Sequence, residues 1–230
     1  PRRLYDLVGM NDQRSSPFCW RAKLALAHKE LDAEFVPIKL TEKAKLEFSG
    51  QNQLPVLVDA EQVISDSWRI ACYLEDNYAD RSTLFGGDSA RHLTRLLNHW
   101  FDKEVMMSLF PMIVPDNYHV VHPDDTEFYR ESREAWLGKT LEQLDEERSE
   151  EKLIEWRTTL QPIRALLQEQ SYLGGASPLF SDYIVFSLFV WVRAVSPWQI
   201  ITSDDVIYPW RERMLDLFDG LARSNAVRKG

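Results

Sequence analysis

The chain is short of cysteine, of basic charge and of long apolar runs, and each shortage removes a class of protein. Two cysteines in 230 residues, Cys19 and Cys72, cannot build a disulfide framework, which points to a reducing, cytoplasmic setting. Lys and Arg total 27 against 36 Asp and Glu, a formal net charge of -9, so no basic stripe is available to neutralise phosphates. A nucleic-acid partner is therefore not expected. The most apolar segment, "YIVFSLFVWV" from Tyr183 to Val192, is about half of the ~20 residues a membrane span needs. Flanked by Asp182 and Arg193, it reads as a helix buried within the protein, with no membrane association. The opening "PRRLYDLVGM" lacks the basic-then-apolar pattern of a signal peptide, so the chain is expected to start directly into structure. No internal repeat or low-complexity tract interrupts it.

What is present is a 44 % hydrophobic content, sufficient for a sizeable core, distributed differently along the two parts of the chain. Over the first eighty residues short β-like runs alternate with helical spacing, the signature of a βαβ unit on a mixed sheet. "RLYDLV" is the first strand. Phe18, Ala22, Ala25 and Leu26 then recur at three- and four-residue spacing and predict one buried face of a helix from Pro17 to Lys29. "EFVPIKL" is a second strand, and its Pro37, lacking an N–H, places it at the sheet edge. Val56–Val58 and Val63–Ile64 predict a hairpin around the polar stretch Asp59 to Gln62, followed by a helix carrying Ile70, Ala71, Leu74 and Tyr78.

"ADRSTLFGGD" marks a linker, and beyond it helical spacing alone is found, over roughly 89–112, 125–148, 151–170, 181–195 and 209–223. The division is thus 1–80, a linker at 81–88, and an all-helical domain at 89–230. The acidic run "LEQLDEERSEEK" is the solvated side of a helix pair.

"RSSPFCWRAKLALAHK" contains the densest chemistry. Ser16 followed by Pro17 is a strong helix start, serine being a favoured N-cap and proline preorganised for the first helical position. The same helix start leaves backbone N–H groups free and concentrates positive potential, a suitable seat for a thiolate or a phosphate. Capping and ligand binding are both compatible with the motif.

With "LPV" at Leu54–Val56 and "SDS" at Ser65–Ser67, the chain resembles the glutathione S-transferase family over nearly its whole length. "SPFCWRAKLALAHK" and "DSWRIACYLEDNY" look most like the serine-type branch that contains bacterial β-aryl ether-cleaving enzymes and related fungal etherase-like transferases. The resemblance implies an α/β plus all-α fold, a thioredoxin-like N-terminal domain followed by an all-helical C-terminal domain. It further implies glutathione as cosubstrate, a homodimer and a hydrophobic electrophile.

Ser16 matches the family's catalytic hydroxyl, with Ser15 as the alternate. Its task is to keep the glutathione thiol ionised: at a free pKa of about 8.5 only ~3 % is thiolate at pH 7, and lowering it by two units requires roughly 2.7 kcal/mol. A helix terminus supplies about 0.3–1 kcal/mol and a hydrogen bond to a charged group about 1.5–3, so the hydroxyl matters more than the dipole. Pro55 matches the family's cis-proline, which presents the backbone of Leu54 to the cysteinyl part of glutathione. Asp66 and Ser67 match the pair that holds the γ-glutamyl end, and Gln53, Lys39 or Lys43 would reach the glycyl carboxylate. Phe18, Met107, Phe110 and Trp191 are the candidates for the electrophile site.

Rival chemistry is confined to two places. Cys19, three residues after Ser16, gives "SPFC" the outline of a redox motif with its first cysteine replaced, so a glutathione-dependent oxidoreductase is one alternative, and non-catalytic carriage of aromatic ligands is another. "HVVH" spaces His119 and His122 three apart, but with Pro123 following and no third ligand no metal site is expected. One departure from the family is local: Asp182 is present at the start of the buried helix, but Leu179 stands where a Ser or Thr would complete a capping box, which predicts a weaker helix start.

Overall fold

The computed structural model describes residues 1–228. The strands are β1 (Arg3–Leu7), β2 (Glu34–Ile38), β3 (Val56–Asp59) and β4 (Gln62–Ser65), forming a mixed sheet in the order β2-β1-β3-β4. β1 and β2 are parallel, with Asp6 opposite Pro37, and β2 is an edge strand, so the N–H that proline lacks disrupts no interior ladder. β3 is antiparallel to both β1 and β4. The hairpin turn is tighter than the sequence suggests: Asp59 and Gln62 pair, leaving Ala60, at φ 53°, and Glu61 to reverse the chain.

Helix α1 (Pro17–His28) corrects one expectation. Instead of burying a single face, it buries every residue from Cys19 to Leu26, Arg21 and Lys23 included, because it packs against α2 (Ser67–Asn77) and the later α9 (Phe180–Val195) as well as lying next to the sheet. Phe18 is the exception, 40 % exposed at the helix start. In α2 the expected apolar positions Ile70, Ala71 and Leu74 are buried, while Tyr78 caps the end and hydrogen-bonds Asp59 and Arg2 through its hydroxyl.

After α2 the chain is helical. α3 (Asp88–Trp100) passes through a π-helical segment, Phe101–Met106, into α4 (Met107–Tyr118), so the helix predicted to end near 112 continues to 118 despite Pro111 and Pro115. The stretch predicted as one helix over 125–148 is two, α5 (Thr126–Leu137) and α6 (Leu141–Glu147). Gly138 stops the first at φ 69°, and Thr140 starts the second by accepting the Gln143 N–H at 3.1 Å. α7 (Glu150–Arg157) and α8 (Gln161–Glu169) divide the next stretch at a short 3-10 turn, and the side chains of the acidic run are largely exposed, as expected for a solvated helix pair. α10 (Ile207–Gly220) is irregular in its last turn, where Phe218 and Asp219 have positive φ, so the regular helix stops short of the predicted 223.

α9 is the centre of the core. All its residues but Ser181 and Arg193 are buried, which places the apolar run Tyr183–Val192 inside the protein. Among the described residues no helix is long and apolar enough to cross a membrane.

No side-chain hydrogen bond caps the start of α9, as Leu179 predicts, but the acidic half of the box gathers partners from elsewhere. Both Asp182 carboxylate oxygens are doubly engaged: Oδ1 accepts from Leu173 N–H at 2.7 Å and Trp210 Nε1–H at 2.9 Å, Oδ2 from Gly174 N–H at 2.9 Å and Leu179 N–H at 3.0 Å. The missing hydroxyl's own partner, the Asp182 N–H, falls back on the Leu179 carbonyl at 2.9 Å, while the carboxylate ties the helix start to the Leu173–Gly174 loop and to Trp210.

Candidate functional site

The sheet brings three chain segments to one of its ends. β1 runs toward Leu7 while antiparallel β3 begins after Pro55, and Val56 pairs with Ser65 at the end of β4, so the loop before α1, the Leu54–Pro55 bend and the start of α2 are neighbours.

The loop before α1 is held tightly. Gly9 N–H donates to the Gln13 carbonyl at 2.7 Å, and Met10 N–H to the Val120 carbonyl at 2.8 Å. A Cβ on Gly9 would sit 2.5 Å from that Val120 oxygen, so the approach requires glycine. The Gln13 side-chain amide donates to the carbonyls of Ala194 and Ala226. Arg14 N–H donates to Asn225 Oδ1 at 3.1 Å, while the Arg14 carbonyl accepts from Asn225 Nδ2 at 2.8 Å and from Trp20 Nε1 at 2.7 Å. The Arg14 guanidinium reaches buried Asp6 at 2.9 Å, an acid it shares with Lys23. Ser15 and Ser16 follow directly on this anchored residue.

Ser16 is the N-cap of α1, its Oγ accepting from the Cys19 N–H at 3.3 Å. A hydroxyl that accepts still has its own proton to donate, so capping leaves Ser16 free to hydrogen-bond an anion in front of the helix. Ser15 and Ser16 line a cavity of about 260 Å³ together with Phe18, Met107, Phe110 and Trp191, the four side chains expected to receive an electrophile. Phe110 stacks on Trp191 at 5.9 Å between centroids and meets Trp136 at 4.9 Å. Trp191 Nε1–H donates to Asn117 Oδ1 at 2.8 Å, which fixes the buried indole in the wall.

Three further lining residues were not singled out from the sequence: Tyr129, Arg133 and Trp136. They stand at i, i+4 and i+7 on α5, one face of that helix, and this spacing was the available signal. Burial pushes the Tyr129 phenol up, so it remains protonated. Asp125, also in the lining, is committed to structure: its carboxylate accepts from Leu40 N–H at 2.8 Å and from the Thr41 N–H and hydroxyl at 3.0 and 2.7 Å.

The second group of predicted residues lies outside that lining. The Leu54–Pro55 peptide is cis, and Asp66 N–H donates to the Pro55 carbonyl at 3.3 Å, which joins the two segments. Asp66 caps α2, its Oδ1 accepting from Trp68 N–H at 3.0 Å and Arg69 N–H at 3.1 Å. It does so at φ 76° and ψ 130°, outside the left-handed helical well and in a sparsely populated backbone region of the kind that concentrates at functional sites. Asp66 is exposed and Ser67 buried beside it. Gln53 is exposed, its backbone bridged by the Gln51 side chain at 2.6 and 2.7 Å. Of the two lysines, Lys39 is paired with Asp124 at 2.6 Å, whereas Lys43 lies over the Phe128 ring at 5.6 Å.

Cys19 is fully buried, and burial foremost, with the Asp6 charge second, drives its thiol far above the ordinary range. Such a thiol stays protonated and out of reach of a substrate. His122 caps the short turn Pro123–Asp125, its Nδ1 accepting from Asp124 N–H at 3.1 Å, and His119 meets the Tyr118 ring. Among the described residues no group of three or more His, Cys, Asp or Glu side chains is placed to hold a metal ion.

The chain matches two family models, described as "Glutathione S-transferase, N-terminal domain" over residues 11–82 and "Glutathione S-transferase, C-terminal domain" over residues 93–215. It is 43 % identical over 70 residues to a zeta class glutathione S-transferase from Euphorbia esula, a match covering 28 % of this chain and 31 % of that relative. The chain thus spans less than a third of the length of that curated relative. A glutathione transferase structure from Phanerochaete chrysosporium superposes with a TM-score of 0.76 at 26 % identity, over 96 % of this chain and 92 % of the other. One from Ceriporiopsis subvermispora, determined in complex with glutathione, superposes with a TM-score of 0.77 at 21 % identity over 97 % and 94 %, and shows the shared fold.

Proposed function

Because the chain belongs to the glutathione S-transferase family, we propose that it binds glutathione at the sheet end and directs the thiolate at an electrophilic carbon held in the aromatic cavity. The observation that carries this reading is the position of Ser16, at once the cap of α1 and part of the cavity wall. Glutathione supplies the nucleophilic sulfur. Ser16 donates its hydroxyl proton to the thiolate, with Ser15 the alternate, and the α1 terminus adds its positive potential. The backbone of Leu54, exposed by the Pro55 bend, pairs with the cysteinyl unit. Asp66 takes the α-ammonium, Ser67 and the α2 N-terminus take the α-carboxylate, and Gln53 or Lys43 meets the glycyl end. Lys39, already paired with Asp124, is the weaker candidate for that last role. Phe18, Met107, Phe110 and Trp191 hold the electrophile beside the sulfur, so attack becomes effectively unimolecular.

The finer reading is an aryl-ether substrate, in which a carbon–sulfur bond forms as the carbon–oxygen bond breaks and a phenolate leaves. The resemblance to etherase-like transferases motivates it, and the stacked aromatic wall suits such a ring. Ether cleavage is absent if a β-aryl ether incubated with protein and glutathione releases no phenol. The same reading includes a homodimer in the cytoplasm and the division of the chain at 1–80, 81–88 and 89–230.

Substituting Ser16→Ala tests the assignment. Titrating the ultraviolet absorbance of the bound thiolate should show its pKa raised, and kcat/KM should fall roughly tenfold to a hundredfold. Loss of the cap itself costs about 1 kcal/mol and is read separately from the unfolding midpoint. A larger shift for Ser15→Ala would transfer the role to Ser15, and loss of turnover in Cys19→Ser would favour the oxidoreductase, which the burial of that thiol opposes. Quenching of tryptophan fluorescence by aromatic compounds without any turnover would instead indicate a carrier.

A further inference from the structure

Arg133 stands in the wall of the aromatic cavity, on the same face of α5 as Tyr129 and Trp136. Its Nη1 donates to the neighbouring Ser132 hydroxyl at 3.0 Å, and its guanidinium lies over the Tyr129 ring at 4.7 Å. Its Nε is buried with no hydrogen-bond partner, one of two such side-chain atoms among the described residues. The acids around it are committed elsewhere. Asp125 is held by Leu40 and Thr41, and Glu134 accepts from Arg130 at 2.9 Å and from Leu141 N–H at 3.0 Å. An orphaned buried donor on a permanently charged group is unfavourable in the free protein, and a planar oxyanion from a ligand would satisfy both the donor and the charge.

We propose that the cavity selects an aromatic electrophile bearing a carboxylate, and that Arg133 is the residue that positions it. The rest of the lining is mostly aromatic and apolar, so the ring is taken by Phe18, Phe110, Trp136 and Trp191 while Arg133 meets the acid group. The bidentate match of guanidinium to carboxylate fixes the rotation of the ring, which an apolar wall alone leaves free. The electrophilic role of the cavity rests on the transferase reading. Recognition of the acid does not.

The test compares a chloronitrobenzoate with the matching chloronitrobenzamide. With glutathione, the sulfur bonds to the ring carbon as the carbon–chlorine bond breaks; chloride leaves with the electron pair, and the thiol proton goes to solvent. Values of kcat/KM, each divided by the uncatalysed rate constant, should favour the carboxylate about tenfold in the unmodified protein. Arg133→Gln should bring the ratio near one, and Arg133→Lys, which keeps the charge but not the fork, should recover part of it. Far-ultraviolet circular dichroism and the unfolding midpoint report that the variants are folded. Tryptophan quenching titrations without glutathione should show the same Arg133-dependent preference in affinity.

Turnover of both compounds with no preference overturns this proposal and leaves the transferase reading intact. A preference that survives Arg133→Gln overturns the role of Arg133. Binding preference for the acid without turnover of either compound supports the acid site and counts against the transferase reading. Absence of both turnover and preference defeats the two together.

Discussion

His28, at the end of α1, meets Tyr183 of α9 and the backbone of Thr83 before α3, so a single imidazole ties the first part of the chain to the second. Nε2 lies 2.9 Å from the Thr83 carbonyl and Nδ1 2.7 Å from the Tyr183 hydroxyl. A carbonyl only accepts, so Nε2 carries the proton and Nδ1 accepts from Tyr183, the arrangement of a neutral ring. Burial, the largest cause, lowers the His28 pKa below its ordinary value, with the neighbouring Lys29 charge acting in the same direction. The unfolded chain therefore takes up this proton more readily than the folded one. The stabilising contribution is complete above about pH 6.5 and is lost as pH falls from there through the folded value. Melting temperatures measured between neutral and mildly acidic pH should fall more steeply for the native chain than for His28→Gln; parallel curves would contradict the assignment.

At the same scale, the sequence identified the residues whose chemistry is local and missed those whose meaning depends on the surface they face. Ser16 before Pro17 announces a cap in any context, and it is one. Tyr129, Arg133 and Trp136 have ordinary helical spacing, which marks a shared side of a helix but not whether that side meets core, solvent or cavity.

Among the elements, α9 shows how tertiary partners replace a local signal. The absence of Ser or Thr at 179 predicted a weak start, yet the Asp182 carboxylate gathers donors from Leu173, Gly174, Leu179 and Trp210. Three of those lie outside any sequence window that a capping rule inspects. Asp182→Ala should strand these buried donors and cost about 3 kcal/mol or more, read as a lower urea midpoint. Asp182→Asn should lose less, since one of its two acceptor positions survives. A loss below about 1 kcal/mol for the alanine variant would show that water or a local shift replaces the carboxylate.

Element boundaries divide along the same line. Gly138 and the Thr140–Gln143 box were readable breaks inside the stretch predicted as one helix, because a left-handed cap and a reciprocal cap are written locally. The π-helical segment Phe101–Met106 was not, since one wider turn barely disturbs apolar spacing while it resets the face that follows. Met106 and Met107, at that transition, both reach the cavity.

For the molecule as a whole, the change from alternating to purely helical pattern near residue 80 was legible because period two and period 3.6 leave different traces over many residues. How the two parts meet was not legible, for that depends on pairs such as His28 with Tyr183 and Arg21 with Asp102, far apart in sequence. The proposed homodimer belongs to this scale as well. Leu93 and Leu96 on α3 are 67 % and 66 % exposed, and Val63 on the free edge strand β4 is exposed too, apolar side chains that a second copy could cover. Light scattering should give twice the 26.9 kDa chain mass, and Leu93→Arg with Leu96→Arg should halve it. A monomer in the unmodified protein would refute the dimer.

The hold of Asn225 and Ala226 on Arg14 and Gln13 spans 211 residues or more of chain. A ribosome delivers these partners in order, the serine loop first and its fastening more than two hundred residues later. The sheet can form while synthesis continues, but the loop that carries Ser15 and Ser16 acquires these anchors only after α10 has been made. A nascent chain would therefore complete its sheet well before the loop carrying the two serines is fixed against it.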